Sequence, residues 1–302
     1  MNKALVSVVI TTYKRHFDDI MPSLCSAIEQ TYDRIEVILV DDNGNGSEYQ
    51  TEIENGLKTI DECRDVVYIA NDRNSGAQVS RNAGILKSRG EFVAFLDDDD
   101  IWMSDKIEKQ MHVMDTTEAG LVFSKGWLVS VSDGSENRKP YNMSSCFVEK
   151  LDFSDLSYGD YIGTTSQVLV RKSVFANVGL FDIDQPARQD YEMWIRISEK
   201  YECIGVPEYL FLHYHHQGEQ ISKNLRKSII GCKRIFLKYR KKSSATAKSH
   251  LCLLVSKGCF KAKDSLSGLG YLFLAAWYGS LAIVFDHGEV KKRVGIHKTR
   301  KQ

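Results

Sequence analysis

Four short apolar runs, residues 6–10, 37–40, 66–69 and 92–96, recur in the first hundred residues. They are rich in β-branched residues and lack polar alternation, which suits strands buried on both faces of a largely parallel sheet. The segments between them, 21–30, 52–63 and 77–87, are long enough for crossover helices. Strand and helix in alternation predict an open α/β sheet with right-handed connections. From 120 to 222 the pattern mixes strand-like runs (121–123, 168–171) with loops and one helix. On that helix Tyr191, Trp194, Ile195 and Ser198 recur at i, i+3, i+4 and i+7. From Lys223 onward it is helical: Leu225, Ile229, Cys232, Phe236 and Tyr239 form one stripe, with Arg226, Lys227, Lys233, Lys238 and Lys241 mostly elsewhere on the wheel. The expected division is an α/β body over 1–222 and a basic helical region over 223–302.

Residues 266–285, "LSGLGYLFLAAWYGSLAIVF", carry no charge. The length just suffices to cross ~30 Å of hydrocarbon. Glycines, serines, tyrosines and a tryptophan make the stretch only moderately apolar. Basic residues on both sides (Lys261, Lys263; Lys291, Lys292, Arg293) give no orientation. A helix docked on the protein or lying in the membrane plane is expected ahead of a span.

Charge changes this picture. The net charge of the 302 residues is zero, yet residues 1–222 carry 21 basic against 37 acidic side chains, and residues 223–302 carry 19 against 3. An acidic body with a basic tail points to an anionic partner for the tail, although solvated helix faces would look the same. An anionic membrane surface fits; nucleic acid is not expected, because no nucleic-acid-binding motif accompanies the basic run. Seven scattered cysteines with no C-x-x-C pair read as buried thiols of a reducing compartment. The N-terminus lacks a secretory layout. A cytoplasmic body, peripheral on the inner face of the cell membrane, is the expectation.

The candidate chemistry lies just after the apolar runs. Thr11, Thr12 and Tyr13 follow the first, Asp41 and Asp42 the second, and Asp97 to Asp100 the fourth. Carboxyl ends of strands are where open α/β sheets bind ligands. Two adjacent carboxylates repel by roughly 1 kcal/mol in water and by more where water is scarce. A helix beginning near Asp105 could use one or two acids at its start; four in a row overshoot that need. Clustered carboxylates suit Mg²⁺ or Mn²⁺, which also bind substrate phosphates. "NDRNSGAQVSRNAG", 71–84, opens a helix that could cradle an anion, and Ser75 as a simple cap is an equal reading. Asp190 could be an N-cap. His213, His215 and His216 could be ligands, but the residues alone do not select one.

In order along the chain, "VSVVITTYKR", "VILVDDNGNGS", "NSGAQVSRNAG", "GEFVAFLDDDDIWMSDKIEKQ" and "RQDYEMWIRI" resemble the family 2 glycosyltransferases, inverting enzymes of the GT-A fold, here of the bacterial surface-polysaccharide type. "GTTSQVLVRKSVFANVGLFD" is similar to the family's acceptor-side segment. The resemblance spans about residues 4–222. It implies a nucleotide-sugar-binding half over 1–115 and an acceptor half over 116–222. It places Thr11 and Tyr13, with Arg15, in the nucleotide pocket, and Asp42, with Asp41, on a uracil-type base. Asn74, Gly76 and Arg81 would serve the donor diphosphate or the aspartates, and Asp97 the ribose. Asp98 is grouped with the donor residues, although no physical account requires it to be acidic. Asp99 would ligate Mn²⁺ or Mg²⁺, helped by His216 with His215 as the alternate, and Asp190 would be the catalytic base. Thr11 and Ser104 stand where many members have proline, and Gln189 where some have Glu, which leaves the acceptor subgroup open.

The implied reaction moves a hexosyl group from a nucleoside diphosphate, most simply UDP, to a hydroxyl of a saccharide or lipid-linked acceptor. A sugar hydroxyl is a poor nucleophile and needs a carboxylate to take its proton; the leaving diphosphate needs its charge neutralised. A sugar nucleotidyltransferase would carry a glycine- and arginine-rich loop after the first strand, and "TTYKRHFDD" has no glycine. A non-enzymatic carbohydrate- or membrane-binding module would leave Asp41, Asp42 and Asp190 without a purpose.

Overall fold

The computed structural model describes residues 3–59, 66–132, 135–141, 147–214 and 224–286. One ten-stranded sheet organises the body. In chain order its strands are β1 (Val6–Thr12), β2 (Ile35–Asp41), β3 (Val66–Ala70), β4 (Phe92–Asp97), β5 (Asp100–Trp102), β6 (Leu121–Ser132), β7 (Ser135–Pro140), β8 (Lys150–Leu151), β9 (Val168–Arg171) and β10 (Cys203–Tyr214). Across the sheet the order is β3-β2-β1-β4-β9-β6-β10-β5, with β7 on β6 and β8 on β10. β1 to β4 are parallel to one another. β9 runs antiparallel between β4 and β6, and so joins the parallel half to the β6–β10 half.

The apolar runs become strands because both faces are covered. Val9 belongs to one core with Ile38, Val93 and Phe95, whereas its neighbours Val8 and Ile10 belong to the other with Leu39 and Leu96. Alternate residues of one strand thus serve opposite cores, and each fully buried Val, Leu or Ile contributes about 1.5–3 kcal/mol. Helices α1 (Phe17–Ile28) and α4 (Lys106–Thr116) cover the second core, beside α2 (Glu48–Leu57). The first core is covered by α3 (Ala77–Lys87), the short α5 (Phe153–Tyr158) and α6 (Ser173–Val178), and α7 (Gln189–Ser198).

The C-terminal region is helical, as expected: α8 (Leu225–Tyr239), α9 (Ala245–Lys261) and α10 (Ser265–Phe285). Ile235, Phe236 and Tyr239 of α8, Leu251 and Cys252 of α9 and Ala275 of α10 all enter the first core. α9 and α10 form a helical hairpin in which Asp286, after α10, accepts from the Thr246 amide at 2.9 Å. α10 therefore docks through Ala275 and Ala282 and turns Leu266, Phe273, Trp277, Ile283 and Val284 outward. It has the length and composition of a membrane-crossing helix, yet one face is already packed on α9. Cys25, Cys203, Cys232, Cys252 and Cys259 are free thiols, all buried but the partly exposed Cys25; Cys63 and Cys146 lie outside the described residues.

Candidate active site

The parallel register brings the polar strand ends together. Thr11 lies between Val40 and Asp97, and Thr12 beside Asp41. The acidic run divides between the end of β4 (Asp97), a two-residue turn (Asp98, Asp99) and the start of β5 (Asp100). Three basic side chains from three separate places meet it. Arg81 of α3 donates to Asp97 Oδ1 at 2.7 Å. Arg15, after β1, donates to Asp99 Oδ2 at 2.7 Å, and its Nε lies 3.7 Å from Asp98 Oδ1. His213 of β10 pairs through Nδ1 with Asp100 Oδ1 at 2.7 Å.

Asp97 also accepts from the hydroxyls of Thr164 at 2.8 Å and Thr165 at 3.0 Å, while Ser166 Oγ accepts from its amide at 3.0 Å. Burial works against its charge, but Arg81 and these hydroxyls hold its carboxyl below the ordinary value. Asp98 has less support: burial and then the Asp99 charge push it up to about 7. Burial likewise pushes Asp100 up to about 6 in spite of His213. Burial lowers His213, and the bond to Asp100 more than offsets it, so the imidazole ends above its ordinary value.

Asp41 and Asp42 are buried and committed to protein donors. Asp41 accepts from Asn43 and from the Tyr68 hydroxyl, all at 2.7–2.8 Å. Asp42 accepts from Asn71 Nδ2 and from the amides of Ser75 and Gly76 at 2.7–2.9 Å. It thereby fixes the turn into α3, where Gly76 takes φ 91°, a conformation that favours glycine. That turn sets the helix that carries Arg81, and leaves Asn74 exposed. Tyr13 is 42% exposed at the same edge, with Lys14 Nζ 5.3 Å from its ring centroid.

Asp190 is the second residue of α7, whose N-cap, Arg188, is left-handed at φ 60°. Its Oδ1 accepts from the Tyr191 amide at 2.7 Å. Burial raises its carboxyl above the ordinary value, against the lowering effects of that amide and of Arg81. Arg81 thus serves both sides: it is bonded to Asp97 and its charge acts on Asp190. The structure brings Thr11, Tyr13, Arg15, Asp41, Asp42, Asn74, Gly76, Arg81, Asp97, Asp98, Asp99 and Asp190 to one edge of the sheet. His215 and His216 lie outside the described residues. Of the histidines weighed, His213 is the one placed here, facing Asp100.

Four further residues belong to this neighbourhood. Thr164, Thr165 and Ser166 were legible only as part of the acceptor-side string. Asp160 carried no sequence signal: its Oδ1 accepts from the Gly163 amide at 2.9 Å, and burial and then the Asp190 charge raise its carboxyl to about 7. Trp194 Nε1 donates to the Gly163 carbonyl at 3.0 Å, so α7 clamps the segment that reaches across to Asp97. Among the described residues no group of three His, Cys, Asp or Glu converges as a ready metal site.

The sequence profile of Glycosyl transferase family 2 matches residues 7–179. A Bacillus subtilis (strain 168) protein assigned to teichuronic acid biosynthesis, the glycosyltransferase TuaG, is 30% identical over 223 residues, 74% of this chain and 83% of that one. The Escherichia coli UDP-Glc:α-D-GlcNAc-diphosphoundecaprenol β-1,3-glucosyltransferase WfaP is 26% identical over 230 residues, 75% and 83% of the two chains. S. aureus TarS 1–349 in complex with UDP-GlcNAc shares the fold with a TM-score of 0.64 at 14% identity, over 90% of this chain and 79% of that one. The mannosyltransferase PcManGT of Pyrobaculum calidifontis, in complex with GDP-Man and Mn²⁺, does so with 0.62 at 18% identity, over 94% and 76%.

Proposed function

The chain belongs to glycosyl transferase family 2, and from that premise we propose that it moves a sugar from UDP to a hydroxyl of a lipid-linked saccharide, with inversion, in surface polysaccharide synthesis. The observation that carries the reading is the bonding of Arg81 to Asp97 at the strand ends, with the half-buried Asp190 in the first turn of α7 beside them. Burial gives Asp190 a raised affinity for protons, although the Arg81 charge works against it. Asp190 takes the acceptor's proton as its oxygen attacks the anomeric carbon. The diphosphate leaves from the opposite face, toward the strand ends where Arg15 and Arg81 supply positive charge. Tyr13 offers an exposed ring to the base. The lipid-linked acceptor is supported by the diphosphoundecaprenol named for WfaP and the wall polymer named for TuaG.

A divalent ion fits this edge in part. Asp99 presents a partly exposed carboxylate, 25% accessible, whose hard oxygens suit Mn²⁺ or Mg²⁺. The ion would neutralise charge on the leaving diphosphate, with water and phosphate completing its shell and His216 as the further ligand to test. Asp190→Asn should retain UDP binding and lose transfer by about 10²–10⁴-fold. Near-normal turnover on a panel of nucleotide sugars with Mn²⁺ overturns the assignment of the base.

We place the C-terminal region on an anionic membrane surface. Phe273 and Trp277 are 71% and 58% exposed on the outer face of α10, and basic residues of α8 and α9 adjoin it. An apolar face with basic flanks suits a helix lying in the interface, near a lipid-linked acceptor.

A further inference from the structure

Of the four aspartates, Asp97 and Asp100 are held from regular elements, α3 and β10, whereas Asp98 and Asp99 are held from a loop. Arg15 follows Lys14, whose φ of 53° is left-handed and whose amide donates to Asn43 Oδ1 at 2.6 Å. That turn aims the guanidinium at Asp99, 2.7 Å away, with Asp98 at 3.7 Å. The pair borders a cleft of about 270 Å³ lined also by Asp19, Pro22, Ser23, Ile101 and Tyr214. Arg15 is 32% and Asp99 25% exposed, so the pair is reachable from solvent and its guanidinium has room to turn.

The Asp99 carboxylate that receives Arg15 on Oδ2 is the same hard group a divalent ion would need. A divalent ion on either oxygen of that carboxylate would be a second cation on the charge that Arg15 already neutralises. Two cationic groups on one carboxylate also repel. Without Arg15, however, Asp98 and Asp99 would lose the cation that both face. A diphosphate resolves the conflict, because its oxygens match the planar guanidinium fork at least as well as a carboxylate does.

We propose that Arg15 is a positioning residue that exchanges partners: it holds Asp99 in the donor-free enzyme and moves to the diphosphate of the nucleotide when donor binds, opening Asp99 to the divalent ion. The inference rests on the reading of Asp99 as the metal-binding carboxylate. It makes metal and donor binding cooperative through a named side chain. By linkage, the ion then strengthens donor binding by the factor by which donor strengthens the ion's.

The test measures Mn²⁺ binding to the full chain by the free-ion electron paramagnetic resonance signal, with and without saturating UDP. Arg15→Gln should tighten Mn²⁺ binding about tenfold in the absence of UDP and leave it within about twofold in its presence, so that most of the coupling disappears. An equal gain under both conditions is what deletion of a nearby positive charge would give, and it overturns the exchange; so does no change under either. Asp99→Asn should lose Mn²⁺ binding in the presence of UDP. If it does not, the metal assignment falls and the exchange with it, whereas a failure of Arg15→Gln alone removes only the exchange. Melting temperatures of both variants near the wild-type value establish that the site is read in a folded protein.

Discussion

As the proposed base, Asp190 owes its affinity for protons to where it stands. Burial raises its carboxyl above the ordinary value, and only the ionised form can accept the acceptor's proton. Activity should therefore fall as pH drops through this raised value, earlier than an exposed aspartate would cause. The acidic limb of kcat/KM checks it; a limb at the ordinary carboxylate range would count against Asp190. Keeping that charge in a half-buried place costs stability, so Asp190→Asn should melt at or above the wild-type temperature while losing transfer. The aspartates themselves were legible in the sequence, because four acids after a buried strand have few explanations. Their partners were not. Arg81, Arg15 and His213 are 16, 84 and 113 positions away from the acids they meet, and no local pattern encodes such pairings. Asp42 was expected on a base; its bonds to Ser75 and Gly76 give it a structural task that only the folded turn reveals.

Among the elements, α7 depends most on its neighbours. Glu192, almost wholly buried, accepts from Arg196 of its own helix at 2.8 Å and from Lys238 and Tyr239 of α8 at 2.6 and 2.7 Å. Burial opposes its charge, and Arg196, Lys238 and Tyr239 together hold its carboxyl below the ordinary 4.5. A depressed carboxyl contributes stability that is complete above the ordinary value and is lost as pH falls through the folded one. Glu192→Gln should cost about 2–4 kcal/mol at pH 7 by leaving Arg196 and Lys238 unpaired. Its deficit in melting temperature should begin to shrink as pH falls below the ordinary 4.5 and should vanish below the lower folded value, where the wild type loses the same charge. Gly231 tightens the same joint, since a Cβ there would lie 2.5 Å from the Ala187 carbonyl oxygen, so Gly231→Ala should loosen α8 and lower transfer with it. The periodic helices were legible, 77–87 and the strand 168–171 to the residue, because propensity and burial agree there. The place of β9 between β4 and β6 was not: a four-residue apolar run does not say which strand it pairs with, or in which direction.

At the scale of the whole molecule, charge and apolar surface are segregated. The strand ends gather carboxylates, and the C-terminal helices carry the basic residues and the outward face of α10. Each lysine or arginine near an anionic surface contributes about 1 kcal/mol, falling off over about 10 Å at 0.1 M salt. Flotation with anionic vesicles should therefore weaken with salt, and Phe273→Glu with Trp277→Glu should weaken it further at low salt. Equal flotation of the double variant would show that α10 does not enter the interface. Side-chain substitution is the informative test here, because removal of 223–302 would strip Tyr239 from Phe153 and His250 from Tyr158 and open the first core. The zero net charge concealed this segregation until the chain was divided; the docking of α10 through its alanines could not be read from an evenly apolar stretch.

That shared core has a consequence for the life of the chain before it is finished. Val93 and Ala275 serve the same cluster. At the ribosome's pace of about 5–20 residues per second, roughly 10–35 s separate their synthesis. Over that interval the first core gains its cover from α3, α5, α6 and α7 but lacks the part that α8, α9 and α10 supply. The body's core is therefore completed only after the three C-terminal helices have been made.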